Sequence, residues 1–172
     1  TPVSTPTTDN TPQYTFYSNK TGTITITGAS SSTTGVNIGN NIITFNTLQD
    51  GTYNNITIKG TNSNGKESNI LTVTSFTVDT IAPQITEVTA ITTPTTDNTP
   101  DYTFYSDKPG TITITGASSS NTDANIGNNT ITFNTLTDGT YSNITINVTN
   151  ISGKESNTLT VTPFTISTPP QI

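Results

Sequence analysis

The octapeptide Thr5-Pro6-Thr7-Thr8-Asp9-Asn10-Thr11-Pro12 returns unchanged at positions 93–100, an offset of 88 residues. Its surroundings return with it. Residues 5–78 align with 93–166 without a gap, and 58 of the 74 pairs are identical. The differences, such as Gln13/Asp101, Thr21/Pro109 and Asn64/Ser152, fall mostly where turns or exposed positions are expected. A self-similar period of this length marks a tandem array of one structural unit. The sequence therefore divides into two domains, 1–80 and 81–172.

Composition narrows what such a unit can be. Hydrophobic residues make up 28% and charged residues only 9% of the 172 residues. Disordered chains combine low apolar content with high charge. Here the polar mass is Thr, Asn and Ser, and Thr favours strands. A unit of this size can just close a small core, so thin β-sandwiches with polar outer faces are expected. Five Lys, no Arg and eleven acidic residues give a net charge of −6. No basic stripe is present for nucleic acid. The absence of Cys and His removes thiolate chemistry, disulfides, the usual general base and the commonest metal-binding imidazole. No apolar run reaches membrane-spanning length, and no signal-peptide pattern occurs. The first residue is Thr rather than Met, which points to a processed product or an excised piece.

Along each unit the pattern is one of period-two runs separated by turn residues. After the Asp9-Asn10-Thr11-Pro12 turn, Tyr14 and Phe16 share one face. Ile24 and Ile26 alternate with Thr23, Thr25 and Thr27. A long polar loop, 28–39, leaves room for one short strand near Val36 to Ile38. Ile43 and Phe45 point inward from the next strand, and Leu48-Gln49-Asp50-Gly51-Thr52-Tyr53 turns into another at 55–58. The last strand, 67–78, shifts phase between Leu71/Val73 and Phe76/Val78, which reads as a bulge near Ser75. Unit two opens with an additional strand, within 83–91, of which unit one keeps only the tail. The expectation is all-β: two tandem seven-stranded immunoglobulin-like (Ig-like) sandwiches, with Tyr53 and Tyr141 at tyrosine-corner positions. Pro83 stiffens the short join, so the two sandwiches are expected end to end, a rod on the order of 80 Å long.

Asp-Asn-Thr-Pro (9–12 and 97–100), Leu-x-Asp-Gly-Thr-Tyr (48–53 and 136–141) and Val-Asp-Thr-Ile-Ala-Pro (78–83) together resemble the bacterial Ig-like repeats of large extracellular adhesins and cell-surface proteins. The resemblance covers nearly the whole chain. It implies tandem spacer domains that hold a binding tip away from the cell, partnered by neighbouring repeats of the same or another copy. It also implies Ca²⁺ where domains join. The loops 61–66 and 149–154 depart from the family pattern, carrying Asn and Lys where acidic ligands are usual.

Candidate ligands for Ca²⁺ at the joint are Asp9, Asn10, Asp50 and Asp79, delivered to one pole by three segments. Carboxylates, Asn side chains and backbone carbonyls suit a six- to eight-oxygen shell. Asp97 and Asp138 would form a weaker equivalent, since Ser167 replaces Asp79. The same acids serve equally as turn caps. An enzyme is not expected, because no acid pair or nucleophile–base constellation stands out. Tyr17 and Tyr105, facing away from the core, leave a carbohydrate-binding reading open, and the Thr-Ile-Thr-Ile-Thr strands an ice-binding one. Both features also suit ordinary outer strand faces. A structural spacer of an extracellular stalk is the principal reading. The alternative is a self-assembling fibre subunit joined by strand complementation, suggested by the truncated first strand and by the tail Pro169-Pro170-Gln171-Ile172, which resembles the start of that strand.

Overall fold

The computed structural model describes residues 1–170, and strands are the only regular elements among them. The chain forms two compact units, Thr1–Ile81 and Ala82–Ile172. Residues Gln171 and Ile172 of the tail singled out above lie outside the described residues.

Unit one contains β1 (Gln13–Ser18), β2 (Gly22–Thr27), β3 (Gly35–Val36), β4 (Gly39–Thr44), β5 (Gly51–Tyr53), β6 (Thr57–Thr61), β7 (Glu67–Thr72) and β8 (Phe76–Val78). A four-stranded antiparallel sheet, β3-β2-β6-β7, faces the pairs β1-β4 and β5-β8 across a common core. Tyr14, Ile43, Phe45, Ile58, Val73 and Phe76 fill that core. Alternation explains the layering. On β2, Thr23, Thr25 and Thr27 are exposed while Ile24 and Ile26 turn toward the core.

Unit two repeats this plan with β10 (Asp101–Ser106), β11 (Gly110–Thr115), β12 (Asp123–Ala124), β13 (Gly127–Thr132), β14 (Gly139–Tyr141), β15 (Thr145–Thr149), β16 (Leu159–Thr160) and β17 (Phe164–Ile166). It adds β9 (Ile85–Thr89), which pairs with the edge of β10 to give the sheet β13-β10-β9. Ile85 and Ile91 thereby join the core of this unit.

Two details differ from the sequence reading. The phase shift near Ser75 is a change of sheet rather than a bulge. β7 pairs with β6, whereas β8 pairs with β5 on the other layer, so the long last strand is two strands. The residues 51–53 likewise form a strand of their own instead of only turning into the next. One segment crossing between layers must re-aim its inward residues, which is why the period breaks.

The tyrosine corner is present in both units. The Tyr53 hydroxyl donates to the Gln49 carbonyl at 2.9 Å, and the Tyr141 hydroxyl donates to the Thr137 carbonyl at 2.9 Å. Each ring also stacks on the central phenylalanine of its unit, Phe76 or Phe164, with centroids 5.4 Å apart. Ring and hydroxyl thus bind the turn to the core. Gly22 and Gly110 are fixed by a different contact: a Cβ at either would collide with the carbonyl of Thr61 or Thr149 on the neighbouring strand.

Tyr141→Phe is expected to cost unit two about 1 kcal/mol by removing one hydrogen bond. Phe164→Ala should cost about 3–5 kcal/mol by opening a cavity under the same corner. Denaturant unfolding of the two variants checks both. A Tyr141→Phe loss as large as that of Phe164→Ala would show that the corner is not held in this way.

Candidate functional site

The acid-bearing turns of each unit are built from three segments. In unit one, the amide of Asp79 donates to the Thr7 carbonyl, and the amide of Thr7 donates to the Thr77 carbonyl, both at 2.9 Å. The Leu48 amide donates to the Asn10 carbonyl at 2.8 Å. Asp50 accepts from the Thr80 amide on both carboxylate oxygens, at 3.1 and 3.0 Å, and from the Thr80 hydroxyl at 2.7 Å. The segments carrying Asp9/Asn10, Asp50 and Asp79 therefore meet, as their order along the chain suggests.

Their side chains have local work. Asp9 Oδ1 accepts from the Thr11 amide at 2.8 Å and from the Thr11 hydroxyl at 3.1 Å, an Asx turn that stiffens the run into Pro12. Asn10 contributes its backbone carbonyl to Leu48. Unit two follows suit: Asp97 accepts from the amide and hydroxyl of Thr99, and Asp138 from the amide and hydroxyl of Thr168. Ser167 keeps the backbone bond of Asp79, its amide donating to Thr95 at 2.9 Å. Among the described residues, no three acidic side chains stand close enough together to hold a metal ion. What the geometry supplies directly is anchorage of the chain leaving each sandwich.

A second constellation was not singled out from the sequence. In unit two, Glu87 Oε2 accepts from the Tyr102 hydroxyl at 2.9 Å and from the Thr162 amide at 3.0 Å, while Oε1 accepts from the Thr162 hydroxyl at 2.7 Å. One carboxylate joins β9, β10 and the segment that crosses between layers. Burial acts to raise the Glu87 pKa, but the hydrogen bonds from Thr162 and Tyr102 outweigh it and hold the carboxyl below its ordinary value. Burial first, and then the neighbouring Glu87 carboxylate, push the Tyr102 hydroxyl well above its ordinary range. A Glu and a Tyr on neighbouring strands were the available signal. It stayed hidden because the pairing depends on register, which residue spacing alone does not fix.

Tyr17 and Tyr105 lie on the outer face, 68% and 40% exposed. Each is a single ring rather than a platform of several.

No sequence-family profile matches the chain, and the comparison with curated proteins finds no match. Among solved structures, the chain is similar to fibronectin(III)-like modules of CbhA from Clostridium thermocellum, with 14% identity, 97% of this chain and 92% of that one covered, and a TM-score of 0.41. It is similar to the D0-D1 domain of intimin, with 14% identity, 95% coverage of each chain and a TM-score of 0.33. A third similarity is to the Bacteroides ovatus mixed-linkage glucan utilization locus protein SGBP-B, solved with a mixed-linkage heptasaccharide. Identity there is 18%, coverage 91% of this chain and 42% of that one, and the TM-score 0.30.

The Glu87 network sets a pH dependence for unit two. Because its folded pKa is lowered, the stabilisation is complete above the ordinary value of 4.5 and disappears as pH falls through the lowered folded value. Tyr102 acts at the other extreme, its contribution present below its ordinary value of 10.0 and lost as pH rises beyond it. Glu87→Gln should lower stability at neutral pH by about 1 kcal/mol, after allowance for solvent screening, and flatten the acid limb. Thermal melts from pH 2 to 7 test this. An acid limb of unit two unchanged in the variant would assign it to other carboxylates.

Proposed function

We propose that the chain is a pair of spacer repeats from a bacterial extracellular stalk or adhesin, non-enzymatic, with neighbouring repeats as its partners. The observation that carries this reading is the way the join is anchored. Thr80 is tied to Asp50 within unit one by three hydrogen bonds. Within unit two, the Gln84 amide donates to Asp107 Oδ1 at 2.7 Å, and the Asp107 amide donates back to the Gln84 carbonyl at 3.1 Å. Only Ile81, Ala82 and Pro83 lie between these anchors, and Pro83 has a fixed φ. A join this short, clamped on both sides by its own domain, suits a part whose task is to keep distance. Thr168 on Asp138 repeats the first clamp at the exit of unit two, as an array of such units needs.

The composition supports the same role. A Thr- and Asn-rich outer surface with few charges gives no strong field to draw charged ligands. No acid–base pair or nucleophile constellation rises from the described side chains, and we assign the ligand of the parent protein to another part of it.

Calcium has a smaller part in this proposal than the sequence alone suggests. Its support is the meeting of three oxygen-rich segments in each unit. Against that stands the use of Asp9, Asp50, Asp97 and Asp138 as acceptors for nearby Thr donors. We keep Ca²⁺ as a ligand that would add to anchors already formed.

Small-angle scattering should give a maximum dimension on the order of 80 Å, as two sandwiches in line require. A short maximum dimension would end the spacer reading. Melting in Ca²⁺ and in chelator decides the ion separately: a higher melting temperature in Ca²⁺, reduced by Asp79→Ala, is expected if the ion binds. Identical melts in both solutions would remove it and leave the spacer standing.

A further inference from the structure

The repeated octapeptide, 5–12 and 93–100, lies against the last strand of its own unit. In unit one, Thr7 forms a parallel bridge with Val78 of β8. Its amide donates to the Thr77 carbonyl and its carbonyl accepts from the Asp79 amide, both at 2.9 Å. Thr5 extends the contact through its side chain, whose hydroxyl oxygen accepts from the Thr77 amide at 2.9 Å. That oxygen takes the place a main-chain carbonyl would hold in a longer parallel ladder. In unit two, Thr95 bridges Ile166 of β17 in the same parallel sense. Its amide donates to the Thr165 carbonyl, its carbonyl accepts from the Ser167 amide, and the Thr93 hydroxyl oxygen accepts from the Thr165 amide, all at 2.9 Å. Among the described residues these two bridges are the only parallel pairings.

Direction decides how this contact meets tension. The octapeptide and the last strand run the same way, one early and one late in each unit. A pull backward on the chain before the octapeptide and forward on the chain after the last strand therefore drives the two segments along each other. All three bonds resist that sliding together. An antiparallel pair pulled from the same chain positions would open one bond at a time. Both segments are also fixed from behind. The Asn10 carbonyl accepts from the Leu48 amide at 2.8 Å, and the Pro12 carbonyl accepts from the Phe45 amide at 3.1 Å. The Asp9 amide donates to the Thr7 hydroxyl oxygen at 3.0 Å, ahead of the Asx turn on Thr11. On its other side β8 pairs with β5, and Phe76 and Val78 are each 1% exposed in the core. Unit two repeats the backing through Asn98 with Leu136, Pro100 with Phe133, and β17 with β14. There the pull passes through β9 first, and the clamp lies behind it.

We infer that this clamp gives each unit a mechanical function: tension along the chain is met in shear between the octapeptide and the last strand, and the unit stays folded under it. This role deepens the spacer reading and rests on it for the source of the tension, which a stalk with a bound tip carries through every repeat. It also gives the octapeptide a reason to return unchanged. Thr5 and Thr7 make the bonds of the clamp, while Asp9, Asn10, Thr11 and Pro12 fix the segment that carries them. Resistance of this kind is a property of direction, separate from equilibrium stability, because forced unfolding follows the unfolding rate.

The test is single-molecule stretching of the full chain. With handles on its two ends, two unfolding events are expected, one for each unit. Thr5→Val leaves the Thr77 amide without its acceptor and should lower the force of one event; Thr93→Val should lower the other. Ile58→Val, a core substitution on the opposite layer, should cost similar equilibrium stability yet leave both forces unchanged. A second measurement keeps the wild-type clamp and changes only the direction. The chain has no Cys, so Ser75→Cys places one handle just before β8 while the other stays on the amino end. This pair peels the clamp from one end, and unit one should yield at about a third of its end-to-end force, since single bonds bear in turn what three share. Equal forces in the two directions would overturn the inference, as would a drop for Ile58→Val as large as that for Thr5→Val. A short maximum dimension in scattering beside an intact directional difference would end the spacer reading and leave the clamp standing.

Discussion

Ile85, sealed between the two layers of unit two and held at both its amide and its carbonyl by one Asn side chain, shows the constraint on which these units depend. Each strand contributes only one row of apolar side chains, and that row is short. The outer row is mostly Thr. A core this thin has no spare material, so closing its edge matters more than it would in a thicker domain. Where β9 is present, Phe104, Ser106, Ile112 and Val148 are buried. At the equivalent positions of unit one, Phe16, Ser18, Ile24 and Gly60 all keep some exposure.

The same economy explains how polar groups are used. Thr hydroxyls pair across strands at Thr52/Thr77, Thr103/Thr130 and Thr140/Thr165, at 2.9, 2.8 and 3.0 Å. Such pairs add modest stability to a face that carries few charges. Asn and Asp do a second job by binding the backbone of loops. Asn41 and Asn129 each bridge their own loop, accepting from the amide of residue 37 or 125 and donating back to its carbonyl. A chain with little apolar material thus fixes its loops with side-chain amides and carboxylates, and its acids are best understood first as loop constraints.

That double use marks the limit of what could be read from the residues. The all-β class, the repeat and the inward rows were legible because a period of two is a local property, as Ile24/Ile26 and Ile43/Phe45 show. The tyrosine corner was legible because Tyr53 reaches back only four residues. The sheet change at 73–76 was read as a bulge, since both break the period in the same way and differ only in which distant strand is met. The convergence of the segments bearing Asp9, Asp50 and Asp79 followed from strand order. Whether their carboxylates would face one another depended on nearby Thr donors. Thr11 and Thr80 capture Asp9 and Asp50, and chain direction alone could not reveal that. Glu87 was missed for a related reason: its partners lie on other strands, and only register brings them together.

The edge of β10, covered by β9, and the anchored join express the same requirement at two scales. Within a unit, an unpaired edge presents amides and carbonyls that need partners, and proteins cover such edges or lose specificity of association. Between units, a chain leaving one sandwich must not pull on it. Thr80 on Asp50 ends the first unit before the joining residues begin, while Gln84 on Asp107 starts the second immediately after them. Strand β9 begins at the next residue, Ile85. The strand that seals unit two thus enters directly from the join. Edge closure and the short connection are consequently one feature: a longer join would free the leading strand, and a missing strand would leave the join tied to an open sandwich. In a tandem array this couples each unit's stability to the segment that precedes it.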